Sequence, residues 1–180
     1  MLDEDDRLVK EIAKGSQKAF RSLFEKYSGA LLGYCQRLLA NQSLAEEVSQ
    51  EVWMKVVTLA ESYKAESHFS AWLFTMARNT CFNQLKRQNT TFKYSEELAY
   101  QGELKQTEQQ MEKMFEEKED QNLVKKAIDS LPDSQRVALI LRIADELSYE
   151  EIAGEMRLSL SAVKSLIFRA KQSLEKSLSN

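Results

Sequence analysis

Ser148-Tyr149-Glu150-Glu151-Ile152-Ala153-Gly154-Glu155-Met156-Arg157-Leu158-Ser159-Leu160-Ser161-Ala162-Val163-Lys164-Ser165-Leu166-Ile167-Phe168-Arg169-Ala170-Lys171 is the stretch that decides the fold. Ser148 is a natural N-cap, and Glu151 stands three residues later, the spacing of a capping box. Ile152, Ala153 and Met156 give the first helix an apolar side. Arg157-Leu158-Ser159 makes a tight turn. A second helix from Ser161 to Lys176 points Val163, Leu166, Ile167, Ala170 and Leu174 inward at helical spacing. A short helix, a three-residue turn and a longer helix form the helix-turn-helix plan, whose second helix enters the major groove of DNA.

Charge agrees with that reading. Between Arg157 and Lys176 the basic residues are Arg157, Lys164, Arg169, Lys171 and Lys176, against a single acid, Glu175. The acids Asp145, Glu146, Glu150, Glu151 and Glu155 fall just before. One helix is built to face phosphate and its neighbour is not. The alternative is a solvated amphipathic hairpin. Upstream, Leu123, Val124, Ala127, Ile128 and Leu131 show helical periodicity, and Pro132-Asp133-Ser134 ends that helix and starts another.

Residues 89–121 differ from their flanks. They are polar, with four basic and nine acidic side chains, while residues 1–88 and 122–180 each carry a net charge of +1. This composition reads as an acidic linker, helical in part or a tether. The organisation is therefore all-α: an N-terminal domain over 1–88, a linker over 89–121 and a helix-turn-helix domain over 122–180.

The N-terminal domain reads as helices with brief interruptions. Leu8, Ile12, Ala19, Leu23, Phe24 and Tyr27 fall near helical spacing, as do Leu31, Leu32, Cys35, Leu38 and Leu39. Asn41-Gln42-Ser43 reads as a stop followed by an N-cap, with Ser43 and Glu46 spaced as a capping box. Val48, Val52, Val56 and Leu59 mark the next helix. A loop follows over Tyr63-Lys64-Ala65-Glu66-Ser67-His68, then a helix from Phe69 to about Arg87. No acid occurs between Glu66 and Glu96, an interval that holds Arg78, Lys86, Arg87 and Lys93 among Phe69, Trp72, Phe74, Phe82 and Phe92. Phe69, Trp72, Leu73 and Met76 have core spacing. Phe74, Arg78 and Phe82 share another side, with Asn79, Asn83 and Lys86 as a polar stripe. Interleaved aromatic and basic residues suit single-stranded nucleic acid, where bases stack and cations follow the backbone. Packing against a second helix is the equal alternative for Phe74 and Phe82.

The bulk composition closes off other classes. Five glycines and one proline in 180 residues argue against a turn-rich sheet protein. No stretch approaches the ~20 apolar residues of a membrane span. The acidic start, Met1-Leu2-Asp3-Glu4-Asp5-Asp6, is unlike a secretory signal, which points to the cytoplasm. Cys35 and Cys81, far apart in the chain, read as two buried thiols in a reducing compartment. A single histidine, His68, and no close cysteine pair leave no structural metal site to expect. No cofactor motif is present. Glu46 and Glu47 are adjacent, so they do not face each other on a helix, and no histidine lies near to make them catalytic.

Three segments together resemble the bacterial RNA polymerase sigma factors, in their small extracytoplasmic-function group. Ala45-Glu46-Glu47-Val48-Ser49-Gln50-Glu51-Val52-Trp53 resembles the segment that docks on polymerase. Phe69-Ser70-Ala71-Trp72-Leu73-Phe74-Thr75-Met76-Ala77-Arg78-Asn79 resembles the promoter-melting segment. Leu131-Pro132-Asp133-Ser134-Gln135-Arg136, with Leu147 to Ala153 and Ala162-Val163-Lys164-Ser165, resembles the C-terminal DNA-binding domain. The resemblance covers about residues 8–88 and 120–176. It implies a non-catalytic specificity subunit for stress-responsive transcription. Glu46, Glu47, Gln50 and Glu51 would meet the coiled coil of the largest subunit of core polymerase. The loop Tyr63–His68, with Lys64 and Ser67, together with Arg78, Asn79, Asn83 and Lys86, would capture unpaired bases of the −10 element. Ser161, Lys164, Ser165 and Arg169 would read the −35 duplex, with Arg157 and Lys171 on phosphates. Apolar residues near Val137–Leu141 would help form the domain that meets the polymerase flap. An anti-sigma protein would be a further partner.

Two positions depart from the family pattern. Glycine is frequent in the turn where this chain has Arg157, and arginine where it has Leu166. From the residues alone, two other readings stand beside the sigma reading. A dimeric helix-turn-helix repressor or activator would account for the C-terminal half and leave the acid-free segment without a purpose. A helical adaptor would bind protein only.

Overall fold

Asp3 caps the first helix: its carboxylate accepts from the Glu4 backbone, and Asp6 reaches back to the Asp3 N–H at 3.2 Å. The structure, a computed structural model, describes residues 3–66, 68–88 and 121–179. Ser67, Phe92, Lys93 and the linker expected over 89–121, apart from Gln121, lie outside the described residues. Contacts divide the chain into two units, residues 1–88 and 89–180.

The first unit holds four α-helices: α1 (Glu4–Ala13), α2 (Gln17–Leu39), α3 (Gln42–Leu59) and α4 (Phe69–Gln88), with a 3-10 turn, Ala60–Ser62, after α3. Gly15, at φ +87°, makes the bend between α1 and α2, where only glycine is unstrained. Ser16 then caps α2 by accepting from the Ala19 N–H at 3.2 Å. The junction of α2 and α3 corrects one expectation. Ala40 closes α2 in the left-handed conformation, so the chain turns one residue early. Asn41, not Ser43, becomes the cap, its side-chain oxygen accepting from Leu44 N–H at 3.0 Å. Ser43 lies inside α3, and Glu46 accepts from the Gln42 amide instead.

The core of this unit joins Val9, Leu23, Leu31, Leu38, Val48, Val52, Val56, Phe69 and Leu73, all sealed from solvent or nearly so. Phe24 and Leu59, which share the expected apolar spacing, stay exposed, and Trp72 and Met76 are half-buried. Cys35 on α2 and Cys81 on α4 are free and buried. The neighbouring Cys35 thiol and burial push the Cys81 thiol above its usual pKa.

The second unit contains α5 (Gln121–Asp129), α6 (Asp133–Ile143), α7 (Tyr149–Met156) and α8 (Leu160–Leu178). Pro132 precedes α6, as its missing N–H and fixed φ favour. Val137 to Leu141 are all buried and build the core of this unit, as expected of residues that form the domain. Arg136 is also buried. Its guanidinium donates to the Leu131 carbonyl at 2.8 Å and to Asp133 at 2.6 Å, tying the α5–α6 turn together. Ser148 and Glu151 form the expected capping box at the start of α7, and Ser159 caps α8 through the Ala162 N–H. Val163, Leu166, Ile167, Ala170 and Leu174 are buried, as their spacing requires.

Hydrogen bonds from the Ser148 backbone and hydroxyl hold the Glu151 carboxyl below its usual pKa. A depressed carboxylate stabilises the fold above its unfolded pKa and ceases to do so as pH falls through the folded value. Replacement Ser148→Ala is expected to cost about 1 kcal/mol of stability at neutral pH. The loss should shrink as pH falls below the usual carboxylate range, as read by chemical unfolding at several pH values.

Candidate nucleic-acid and protein interfaces

The α8 helix presents its charge because its apolar stripe is spent on the core. With Val163, Ile167 and Ala170 inward, Ser161, Lys164, Phe168 and Lys171 fall on the opposite side at i, i+3, i+7 and i+10. Ser161 is exposed, and Lys164, Phe168, Arg169 and Lys171 are half-buried. Ser165 departs from expectation. It lies at the border between the outward and inward faces and is only 8% exposed. Its short side chain reaches no further than the helix surface, so a direct base contact from it is not supported. Phe168 was not singled out in the sequence. The signal that could have found it is its place one turn from Lys164 and Lys171. Leu166 is buried, so its side chain is not part of the outer face of this helix.

The turn before α8 carries a specific strain. Arg157 ends α7 at φ 55°, ψ 47°, the left-handed region, with its N–H bonded to the carbonyls of the preceding turn. A non-glycine residue there costs about 1–2 kcal/mol. Arg157 is exposed, three residues before the start of α8.

On the first unit, α3 shows a second face. Glu46, Glu47, Gln50 and Glu51 are all exposed. Glu51 pairs with Lys55 at 2.7 Å, and Lys55 also donates to Thr80 of α4 at 2.9 Å, which fixes this face relative to α4. The stripe continues past the acids. Met54 and Val57 are 64% and 46% exposed, large apolar groups on a helix surface. Helical continuation from Glu47 and Gln50 could have located them. Phe24 of α2, 41% exposed, packs against Trp53 with ring centroids 5.2 Å apart.

The third face belongs to α4 and the loop before it. Asn79, Asn83 and Lys86 are exposed along one side of α4, and Arg78 is half-buried. Lys64 is exposed, and His68 lies 3.6 Å from Asp3. Tyr63 is half-buried, its ring 4.8 Å from that of Trp72 and its hydroxyl on Asp6. Ser67 lies outside the described residues. Of the two readings open for Phe74 and Phe82, the structure shows packing, Phe74 half-buried and Phe82 buried. Phe74 meets Tyr34 edge-on at 5.3 Å, and Phe82 is 4% exposed. Tyr34 belongs to α2, which packs against α4 beside Phe74.

A helix-turn-helix unit with basic residues on the outer side of its second helix is joined in one chain to a helical unit with an acidic-apolar face and an acid-free polar face, the arrangement of a DNA-binding class of protein. Comparison with known proteins makes it specific. Residues 23–91 match the family model described as Sigma-70 region 2, and residues 121–174 match Sigma-70, region 4. The RNA polymerase sigma-H factor of Pseudomonas aeruginosa is 32% identical, over 98% of this chain and 94% of that protein. The ECF RNA polymerase sigma-E factor of Escherichia coli is 33% identical, over 95% and 92%. Among solved structures, the sigma factor RpoE of Bartonella quintana, in complex with the anti-sigma factor NepR, aligns over 90% of this chain and 98% of its own, at 26% identity and a TM-score of 0.57. CnrH, solved with the cytosolic domain of CnrY, shares the fold at 21% identity and a TM-score of 0.56. The chain belongs to the sigma-70 family, in its extracytoplasmic-function group of RNA polymerase sigma factors.

Among the described residues, no helix is long and apolar enough to cross a membrane. The strain at Arg157 gives a separable test. Arg157→Gly is expected to raise the unfolding midpoint by relieving the left-handed penalty, a gain of up to about 1 kcal/mol. The same change should weaken duplex binding and flatten its salt dependence by about one phosphate contact. Thermal unfolding and a salt titration of DNA affinity read the two effects independently.

Proposed function

We propose that this sigma factor divides its work among the three faces. The exposed α3 face, Glu46, Glu47, Gln50 and Glu51, extended by Met54 and Val57, meets core RNA polymerase. An acidic rim beside large apolar groups suits such a contact, since charge steers encounter and apolar burial holds it. The loop from Tyr63 to His68 and the α4 residues Arg78, Asn79, Asn83 and Lys86 take up unpaired bases of the −10 element. Flipping a base out of a duplex costs a few kcal/mol, which a preformed polar and cationic surface offsets. The outer face of α8, with Ser161, Lys164, Phe168 and Arg169, enters the major groove at the −35 element, and Arg157 and Lys171 hold phosphates. The domains implied are 1–88 for core binding and −10 recognition and 122–180 for −35 recognition, joined by the acidic linker 89–121.

The protein has no catalytic step of its own in this reading. It supplies promoter selectivity to an enzyme that makes the bonds, and it acts in the cytoplasm, where that enzyme works. An anti-sigma protein is its expected inhibitor. The support is that a structural relative, RpoE, was solved bound to one. The observation that carries the proposal is the order of the faces: acidic-apolar helix, acid-free polar helix and outward-basic recognition helix, matching regions 2 and 4 in sequence.

Run-off transcription with core polymerase tests it. Addition of the protein is expected to produce promoter-dependent transcripts. Glu47→Lys should abolish them by weakening core binding at least about tenfold, as charge reversal within an interface does. Lys164→Ala with Arg169→Ala should lower −35 duplex affinity by about ten- to a hundredfold while core binding persists. Transcripts insensitive to all three changes would overturn the assignment of faces.

A further inference from the structure

The acids at the start of α1 play no part in the three faces, yet they are unusually placed. Asp5 and Asp6 are 4% and 6% exposed. Carboxylates are seldom buried unless they are paired or hydrogen-bonded. Asp5 is both, and Asp6 is hydrogen-bonded. Lys26 donates to both Asp5 oxygens at 2.8 Å, and the Tyr27 hydroxyl donates to Asp5 Oδ2. The Tyr63 hydroxyl donates to Asp6 Oδ1 at 2.6 Å, while the Asp3 N–H donates to the other oxygen.

The two tyrosines stand at the two ends of one loop. Tyr63 follows the 3-10 turn and is the loop's first residue, with φ −62° and ψ 124°. Its ring lies on Trp72, 4.8 Å between centroids. Tyr27 meets Phe69 edge-on at 5.4 Å, and Phe69 opens α4 where the loop ends. Phe69 and Trp72 are 6.0 Å apart. A closed circuit results: Asp6, Tyr63, Trp72, Phe69, Tyr27 and Asp5. The acidic tip of α1 thus clasps both anchors of the segment between α3 and α4. Burial, with the hydrogen bond to Asp6, keeps the Tyr63 hydroxyl protonated well above its ordinary pKa. It therefore remains a donor across the physiological range.

We propose that Asp6, acting through Tyr63, is a positioning residue for capture of unpaired −10 bases. The inference rests on the −10 reading given above. Asp6 touches no DNA. It fixes the Tyr63 side chain and hence the direction in which the chain leaves the 3-10 turn. That direction sets where the exposed Lys64 stands relative to Asn79 and Asn83. A loop held at its first residue has less conformational freedom to lose when bases bind, so strand opening is favoured without any new contact.

The test uses the full chain assembled with core polymerase from the same bacterium. The probe is a promoter fragment mapped from the 5′ ends of transcripts that this holoenzyme makes on genomic DNA. Permanganate reactivity of unpaired thymines follows strand opening. Tyr63→Phe keeps the ring on Trp72 and removes only the hydroxyl. It is expected to slow opening at least about tenfold, the lower end of the scale of one lost hydrogen bond to a charged group. Core affinity and protection of the −35 duplex should not change. Asp6→Asn, which retains an acceptor oxygen, should open nearly as the parent does. Asp6→Ala should fall to the level of Tyr63→Phe, and the two combined should be no worse than either. Unaltered opening in Tyr63→Phe, additive losses in the double variant, or equal losses in core binding and −35 protection would each overturn the inference. Asn79→Ala with Asn83→Ala separates the two levels. If that pair opens normally, the −10 reading falls and this inference with it. If the pair is impaired while Tyr63→Phe is not, only the role of Asp6 is refuted.

Discussion

Burial of Val163, Ile167 and Ala170 sets the rotation of α8 about its own axis, and with it the direction of every functional group that the helix carries. Successive residues turn by about 100°, so moving the apolar stripe by one position would sink Lys164 and bring Val163 to the surface. Each buried aliphatic side chain contributes about 1.5–3 kcal/mol relative to exposure. The rotation is therefore held by several side chains acting together, none of which would touch DNA. The same constraint operates on α3. Val48, Val52 and Val56 face the core and leave Glu47, Gln50, Glu51 and Met54 outside.

The strongly periodic features were legible because this constraint is written directly as spacing. The helix-turn-helix, its five inward apolar residues, the Ser148–Glu151 cap and the exposed acids of α3 all follow from local pattern. What could not be read depends on neighbours remote in the chain or on backbone conformation. Ser43 looked like a cap because serine and Glu46 are correctly spaced, but the left-handed Ala40 moved the helix start and gave the role to Asn41. Phe74 and Phe82 looked equally suited to bases or to a core, and Tyr34 and the helices beside α4 decided it. Ser165 lies at the edge of a face, where a small rotation separates exposed from buried. Cys35 and Cys81 gave no sign of contact, since 46 positions separate them in the chain, yet α2 and α4 bring the thiols together.

The acidic N-terminus shows the same division between composition and placement. As a string, Asp3-Glu4-Asp5-Asp6 is merely unlike a signal peptide. In the fold, Asp3 and Asp6 cap a helix, and Asp5 and Asp6 accept from tyrosines on either side of one loop. Two buried carboxylates are tolerable there because each has at least two donors. Arg157 is the complementary case, a left-handed backbone conformation at an exposed basic residue just before α8.

A sigma factor works as a subunit of RNA polymerase rather than as a free-standing DNA-binding protein. Gel filtration of the purified protein with bacterial core RNA polymerase distinguishes the two. Co-elution as a one-to-one complex is expected. Separate elution, together with tight binding of duplex DNA by the protein alone, would contradict it and point to a conventional helix-turn-helix regulator.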